Sequence, residues 1–231
     1  MPSLDILKAA ATESLLTLRA GLFPLARLRP MPTPGPPGNH PPVLLVHGYL
    51  GHRDMLRPLA RRLLTEGWDR VERLGYRSSV ARLEDVVEHI RRAAVPLAES
   101  HGGPIDLVGH SLGALASRAW IKAFEGDQHI RRFVSLGGPH AGTSWYFLSP
   151  PWLHDALRPD GPWAQRLAVG PEPVPTTVVR ARYDHQVFPP ARARIDGVQE
   201  VVLGGYGHNG LLWAREAHDA VVHALTEHVH G

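Results

Sequence analysis

The sequence predicts an α/β protein: a doubly wound, mainly parallel six-stranded sheet with helices on both faces, preceded by an N-terminal amphipathic helix. Three observations predict it. Short apolar runs of the kind buried in parallel sheets recur along the chain, and most segments between them read as helical. The 231 residues also suffice for one such domain with a buried sheet. Right-handed crossovers between the strands follow from that order.

The elements read as follows. Leu4, Leu7, Ala11, Leu15, Leu18, Leu22 and Leu25 recur at steps of three and four, which makes residues 1–29 an amphipathic helix of about six turns. Its expected role is packing on the main body or on a second subunit; peripheral membrane contact is the alternative, since Arg19, Arg27 and Arg29 cluster toward its end. Residues 30–41 are a Pro-rich linker that cannot be helical, and residues 42–231 form the main domain.

Within that domain Val43 to Val46 is the first strand, followed by a helix from about Asp54 to Thr65. A strand near Arg70 to Leu74 precedes a longer helix beginning around Ser79, read as its N-cap. Ile105 to Val108 is a strand, Leu112 to Phe124 a helix and Arg132 to Leu136 a strand. Residues 139–172 are rich in Pro, Gly and Trp, with one short helix expected between Pro151 and Leu167; this is the place for a small cap or acyl-pocket segment. Thr176 to Ala181 and Gln199 to Leu203 complete the sheet, and Gly210 to His228 is the last helix.

Composition narrows the function classes. Apolar residues make up 43% and charged residues 20%, as in ordinary soluble domains. The pI of about 9.6 partly reflects arginine usage, because the net charge is only +3 and Lys8 and Lys122 are the only lysines. Basic pairs such as Arg61-Arg62, Arg91-Arg92 and Arg131-Arg132 sit beside acidic or apolar residues, so no nucleic-acid partner is expected. Cysteine is absent, which excludes disulfides, thiolate metal sites and a cysteine nucleophile. His218, His223 and His228 are spaced five apart and share no helix face, so no metal is expected there, and no cofactor elsewhere. Charges at Asp5, Lys8, Glu13 and Arg19 interrupt the N-terminal apolar residues. A signal peptide is therefore not expected, and no run approaches the roughly 18 apolar residues of a spanning helix. A cytoplasmic location is the expectation, or secretion if a leader was removed.

The chemistry centres on Gly109-His110-Ser111-Leu112-Gly113, which closes a predicted strand and opens a predicted helix. That context is what a nucleophile on a strained strand-to-helix turn requires, with small residues on either side so that strand and helix can approach. A serine hydroxyl needs a base. Of 15 histidines, His208 lies in the loop Gly204-Gly205-Tyr206-Gly207-His208-Asn209-Gly210 just past the last strand, at the carboxyl edge where ligands bind in such sheets. The orienting acid should end a strand between them, which points to Asp184 over Asp196, a residue that reads as part of a turn. Asp155 and Asp160 sit in the variable segment. Donors to a developing oxyanion are each worth about 3 kcal/mol. The Leu112 and Tyr49 amides are the candidates, the second offered by the turn at Gly48. His47 is expected to brace that loop, and His110 to point away from Ser111. Trp145, Tyr146, Phe147, Leu148, Trp152, Leu153 and Trp163 could line an acyl pocket, with Leu211 packing below it, or could simply pack the segment onto the body.

As an ordered set, Leu45-Val46-His47-Gly48, the serine motif, Asp184 followed by Val187 and Pro189, and Gly207-His208 resemble a bacterial lipase or esterase of the α/β-hydrolase superfamily. The ending from Thr177 to Leu212 is similar to the small lidless bacterial triacylglycerol lipases, and the likeness spans about residues 42–229. Gly137-Gly138-Pro139-His140-Ala141-Gly142-Thr143 resembles a loop of many such lipases. The resemblance implies a catalytic triad of Ser111, Asp184 and His208, an oxyanion hole at the Tyr49 and Leu112 amides, and hydrolysis of carboxylic esters without metal or organic cofactor. The expected partner is a small-molecule ester or lipid. An acyltransferase using the same triad and a non-catalytic binding protein of the same fold are the competing readings. Two features depart from the resemblance: the helix over residues 4–28 and the fuller segment at 145–172.

Overall fold

The computed structural model describes residues 31–32 and 39–227. The expected N-terminal helix, and with it the proposed membrane contact, lies outside the described residues.

The elements, in chain order, are β1 (Val43–Val46), α1 (Arg57–Thr65), β2 (Val71–Arg73), α2 (Leu83–His101), β3 (Ile105–His110), α3 (Leu112–Ala123) and β4 (Ile130–Leu136). Then follow α4 (His154–Leu157), α5 (Pro162–Ala168), β5 (Thr176–Ala181), β6 (Gln199–Leu203) and α6 (Arg215–Thr226). The six strands form one sheet in the order β2-β1-β3-β4-β5-β6, and each neighbouring pair is parallel. The order reverses at β1, so β1 and β3 lie side by side and their carboxyl ends open onto a common crevice.

Alternation along the buried strands divides the core between two faces. Leu44 and Val46 of β1 point with Leu107 and Phe133 toward α2 and α3, where Val86, Ile90, Leu115 and Trp120 complete one cluster. Val43 and Leu45 point the other way with Val108, Val134 and Val179, against Leu59 and Leu63 of α1 and Val221 and Leu225 of α6. Fully burying such a side chain contributes roughly 1.5–3 kcal/mol, so these two clusters are the main source of cohesion.

Several boundaries differ from the sequence reading. The helix expected from Ser79 begins at Leu83, because the Asp85 carboxylate accepts the Arg82 amide at 2.8 Å and stops the chain from winding earlier. The single short helix expected between Pro151 and Leu167 is two, α4 and α5, separated at Gly161-Pro162, where proline suits a helix's first position but cannot continue the preceding one. The helix expected from Gly210 starts with a 3-10 turn, Asn209–Leu212, before α6.

The segment carrying α4 and α5 is pinned to α3 by buried charge. Glu172 Oε1 accepts from Arg118 Nη2 at 2.6 Å and from Lys122 Nζ at 2.9 Å. The same two cations donate to the Leu167 and Gly170 carbonyls, each at 2.8 Å. Among the described residues no helix is long and apolar enough to cross a membrane.

Candidate active site

Ser111 occupies the turn between β3 and α3 with φ 55° and ψ −126°, a left-handed conformation that costs about 1–3 kcal/mol for a residue with a side chain. The flanking glycines are a steric necessity. A Cβ on Gly109 would sit 2.5 Å from the Ala114 Cα, and one on Gly113 would sit 2.3 Å from the His47 carbonyl oxygen. The elbow is tied down by the Ser111 amide, which donates to the Leu136 carbonyl at 2.9 Å.

The loop after β1 passes directly against the elbow. A Cβ on Gly48 would lie 2.7 Å from the Ser111 Cβ, so only glycine permits this approach. Tyr49 follows it, and Tyr49, Ser111 and Leu112 line one cavity of about 430 Å³. Leu112 opens α3, where first-turn amides have no acceptor within their own helix. His47 braces the loop: its Nδ1 lies 3.0 Å from the Gly48 carbonyl oxygen and its ring stacks on Tyr76 at 4.2 Å. Burial lowers its pKa to about 4, so it is neutral in the fold near pH 7.

Asp184 and His208 come from the ends of β5 and β6 and meet in the interior. His208 Nδ1 donates to Asp184 Oδ2 at 2.7 Å, with both side chains 1% exposed. The other oxygen, Oδ1, accepts the Gln186 and Val187 amides, each at 2.8 Å. Burial alone would raise the Asp184 pKa, but His208 and these amides outweigh it and hold the carboxyl below its ordinary value. An ionised Asp184 fixes the proton on Nδ1 and leaves Nε2 as the basic nitrogen of His208.

The Leu136-Gly137 step connects the two halves of the site. Leu136 accepts the Ser111 amide, and a Cβ on Gly137 would lie 3.4 Å from the His208 ring atoms Cε1 and Nδ1. Leu211, fully buried, packs at the same point: its Cδ1 would be 3.0 Å from that Cβ. Leu211 thus packs at Gly137, as His208 does, and does not line the cavity.

Of the aromatic residues singled out in the sequence, Trp145 lines the cavity. Tyr146 and Phe147 lie in a 3-10 turn, Tyr146–Leu148, and Trp152 in another, Pro151–Leu153; none of these three lines it. Of the other candidates Leu148 also lines it, whereas Leu153 and Trp163 do not, and the walls are completed by Leu157 and Val187, with Pro139 and Thr143. Asp196, the rival acid, lines a different cavity with Thr176, Thr177 and Gln199, near the amino ends of β5 and β6.

Two contributors are not evident from local sequence. His110 packs against His208, with ring centroids 4.9 Å apart and its Nε2 3.4 Å from the His208 carbonyl oxygen. Thr143 joins the cavity's two walls: its Oγ1 donates to the Gln186 carbonyl at 2.8 Å and accepts the Phe188 amide at 3.1 Å. The Gly137–Thr143 motif was the only sequence signal near it. Among the described residues no group of three or more His, Asp or Glu side chains could hold a metal ion.

Known structures share this architecture. Lipase B from Aspergillus fumigatus matches with a TM-score of 0.69 and 21% identity, over 85% of this chain and 56% of that one. The mature lipase BlEst2 from Bacillus licheniformis matches at 0.68 with 16% identity, over 85% and 96%. A monoacylglycerol lipase from Paleococcus ferrophilus matches at 0.60 with 17% identity, over 80% and 95%. At these identities the likeness establishes the α/β-hydrolase fold. The palmitoyl protein thioesterase family matches residues 42–183, from β1 through the serine elbow to the residue before Asp184. With well over half of its length inside that match, the chain belongs to the palmitoyl protein thioesterase family.

Proposed function

We propose that the protein is a serine hydrolase that cleaves carboxylic esters, and by its family also acyl thioesters, through an acyl-enzyme on Ser111. The observation that carries this reading is the strained elbow that presents Ser111 at the floor of an apolar-walled cavity, beside a buried Asp184–His208 pair. In the first step His208 Nε2 takes the Ser111 proton as Oγ attacks the acyl carbon. Negative charge developing on the carbonyl oxygen is met by the Tyr49 and Leu112 amides. Collapse expels the alcohol or thiol, which leaves with the proton held by His208. Water, activated by the same nitrogen, then releases the acid and restores Ser111.

The test is hydrolysis of p-nitrophenyl esters from acetate to palmitate, and of a matched acyl thioester, by wild type and Ser111→Ala. Loss of turnover in the variant and a labelled Ser111 after reaction with a fluorophosphonate are the expected results. Undiminished hydrolysis by Ser111→Ala would assign the nucleophile elsewhere. Faster product formation in the presence of an added alcohol, with the acyl group transferred to it in preference to water, would make the protein an acyltransferase.

A further inference from the structure

A second cleft opens on the other side of the β1 loop from Ser111. It is lined by His52, Arg53, Asp54, Arg57, Arg73, Gly75, Tyr76 and Arg77. Four guanidiniums face one carboxylate, an excess of three positive charges, as many as the formal net charge of the whole chain. Asp54, which is buried, anchors this group: its Oδ1 accepts from Arg73 Nη1 at 2.8 Å and its Oδ2 lies 3.3 Å from His52 Nδ1. Arg57 Nη1 is 3.9 Å from the same Oδ1. One carboxylate cannot neutralise this set. Arg53 and Arg77 are exposed and have no carboxylate partner among the described residues.

Position relative to the catalytic cavity gives the charge a use. Tyr49 lines that cavity and His52 lines the basic cleft, and the three intervening peptide units span at most about 11 Å. The wall between them is braced. Tyr76, in the basic cleft, donates its hydroxyl to the His47 carbonyl at 2.5 Å, and that carbonyl in turn abuts Gly113 of the elbow. A substrate whose acyl chain fills the apolar cavity would bring its alcohol or thiol side to the arginines by extending over the short Tyr49–His52 stretch.

We propose that this arginine cleft binds a phosphate carried by the alcohol or thiol side of the substrate, so that phosphate-bearing acyl esters are preferred over neutral ones. The inference rests on the hydrolase reading for its kinetic consequence, but not for the binding site itself. Guanidiniums suit phosphate because their forked donors engage two oxygens at once. The Arg73 guanidinium, already held by Asp54, loses little to reorganisation when the anion arrives, and the exposed Arg53 and Arg77 supply the uncompensated charge.

The test uses the full chain and two substrates that share an acyl group, a lysophosphatidate and the corresponding 1-monoacylglycerol. The ratio of their kcat/KM values is measured for wild type and for Arg53→Ala/Arg77→Ala. Separately, binding of inorganic pyrophosphate is followed by calorimetry for both proteins. Wild type should favour the lysophosphatidate, the double variant should lower that ratio about tenfold, and pyrophosphate binding should be lost in the variant. Pyrophosphate should inhibit lysophosphatidate cleavage competitively, and an Arg53→Lys/Arg77→Lys variant should recover part of the preference. Pyrophosphate binding abolished by the double variant, with neither ester cleaved by wild type, would sustain the anion site and sink the hydrolase reading. Ser111-dependent cleavage of both esters with an unchanged ratio would overturn the proposal and leave the hydrolase reading intact. Pyrophosphate binding that persists in the double variant would also overturn it, by placing the anion elsewhere.

Discussion

The imidazole of His110 lies 4.9 Å from that of His208, centroid to centroid, and the fold keeps His110 uncharged. Burial, and then the neighbouring His208, lower the His110 pKa to about 3. A protonated His110 would set a cation beside the His208 imidazole, so its neutrality spares His208 a like-charged neighbour.

That relationship predicts how stability depends on pH. His47 and His110 have folded pKa values lowered from 6.5 to about 4 and about 3, and burial holds that of His140 well below 6.5 as well. Above pH 6.5 these groups are neutral in both states and cost nothing. As pH falls below 6.5 the unfolded chain takes up protons that the fold refuses, so stability is lost progressively toward pH 3. Thermal denaturation should show a Tm that declines steadily from pH 7 to pH 4, and His47→Gln should make the decline shallower. A flat profile over that range would contradict the assignment of buried neutral histidines.

Asp184→Asn should lower kcat by about 10³–10⁴ while leaving the fold intact, because the amide can no longer hold the proton on His208 Nδ1. Asp196→Asn should stay near wild type, since Asp196 sits near the opposite edge of the sheet. Steady-state kinetics on a p-nitrophenyl ester distinguishes the two, and equal losses would mean that the acid has been misassigned.

Gly113→Ala should destabilise the protein by about 1–3 kcal/mol or more, because its methyl would fall 2.3 Å from the rigid His47 carbonyl. Denaturant unfolding measures the loss directly. Activity should fall with it, as the same displacement moves the β1 loop that carries Tyr49.

Glu172→Gln should cost about 3–5 kcal/mol by leaving Arg118 and Lys122 buried without their counter-charge. The segment from Pro151 to Gly170 should then become the first site of limited proteolysis. Wild-type resistance retained in the variant would show that the apolar contacts of Leu153, Trp163 and Leu167 hold the segment alone.

Trp145→Ala should reduce kcat/KM for long-chain esters more than for acetate, by roughly tenfold, because Trp145 walls the cavity. Trp152→Ala should have little effect on that profile, as Trp152 does not line the cavity.

Much of the fold was legible along the chain because its determinants are local. The runs at 43–46, 176–181 and 199–203 coincide with β1, β5 and β6: β1 is apolar and buried throughout, and β5 and β6 are each marked by a central Val-Val pair of high strand preference. The serine elbow was legible for a related reason: a turn this tight demands glycine within two residues on each side, and that demand is written into five consecutive positions. Ser79 misled because a capping residue is chosen by competition, and Asp85 three residues past Arg82 offered the stronger acceptor.

Other features depend on distances that no local pattern encodes. That Trp145 alone among the chosen aromatics lines the cavity follows from how residues 139–172 dock on the body of the domain. The packing of His110 on His208 joins residues 98 positions apart. The basic cleft likewise gathers residues 52–57 with 73–77 because β1 and β2 are neighbours in the sheet. The sequence by itself determined the strands, the strained serine turn and the loops able to bear a base and an acid, since periodicity and steric demand act over a few residues. Only the tertiary structure decided which side chains share a cavity and which arginines share a cleft, because long-range burial, not local preference, sets the order of the strands.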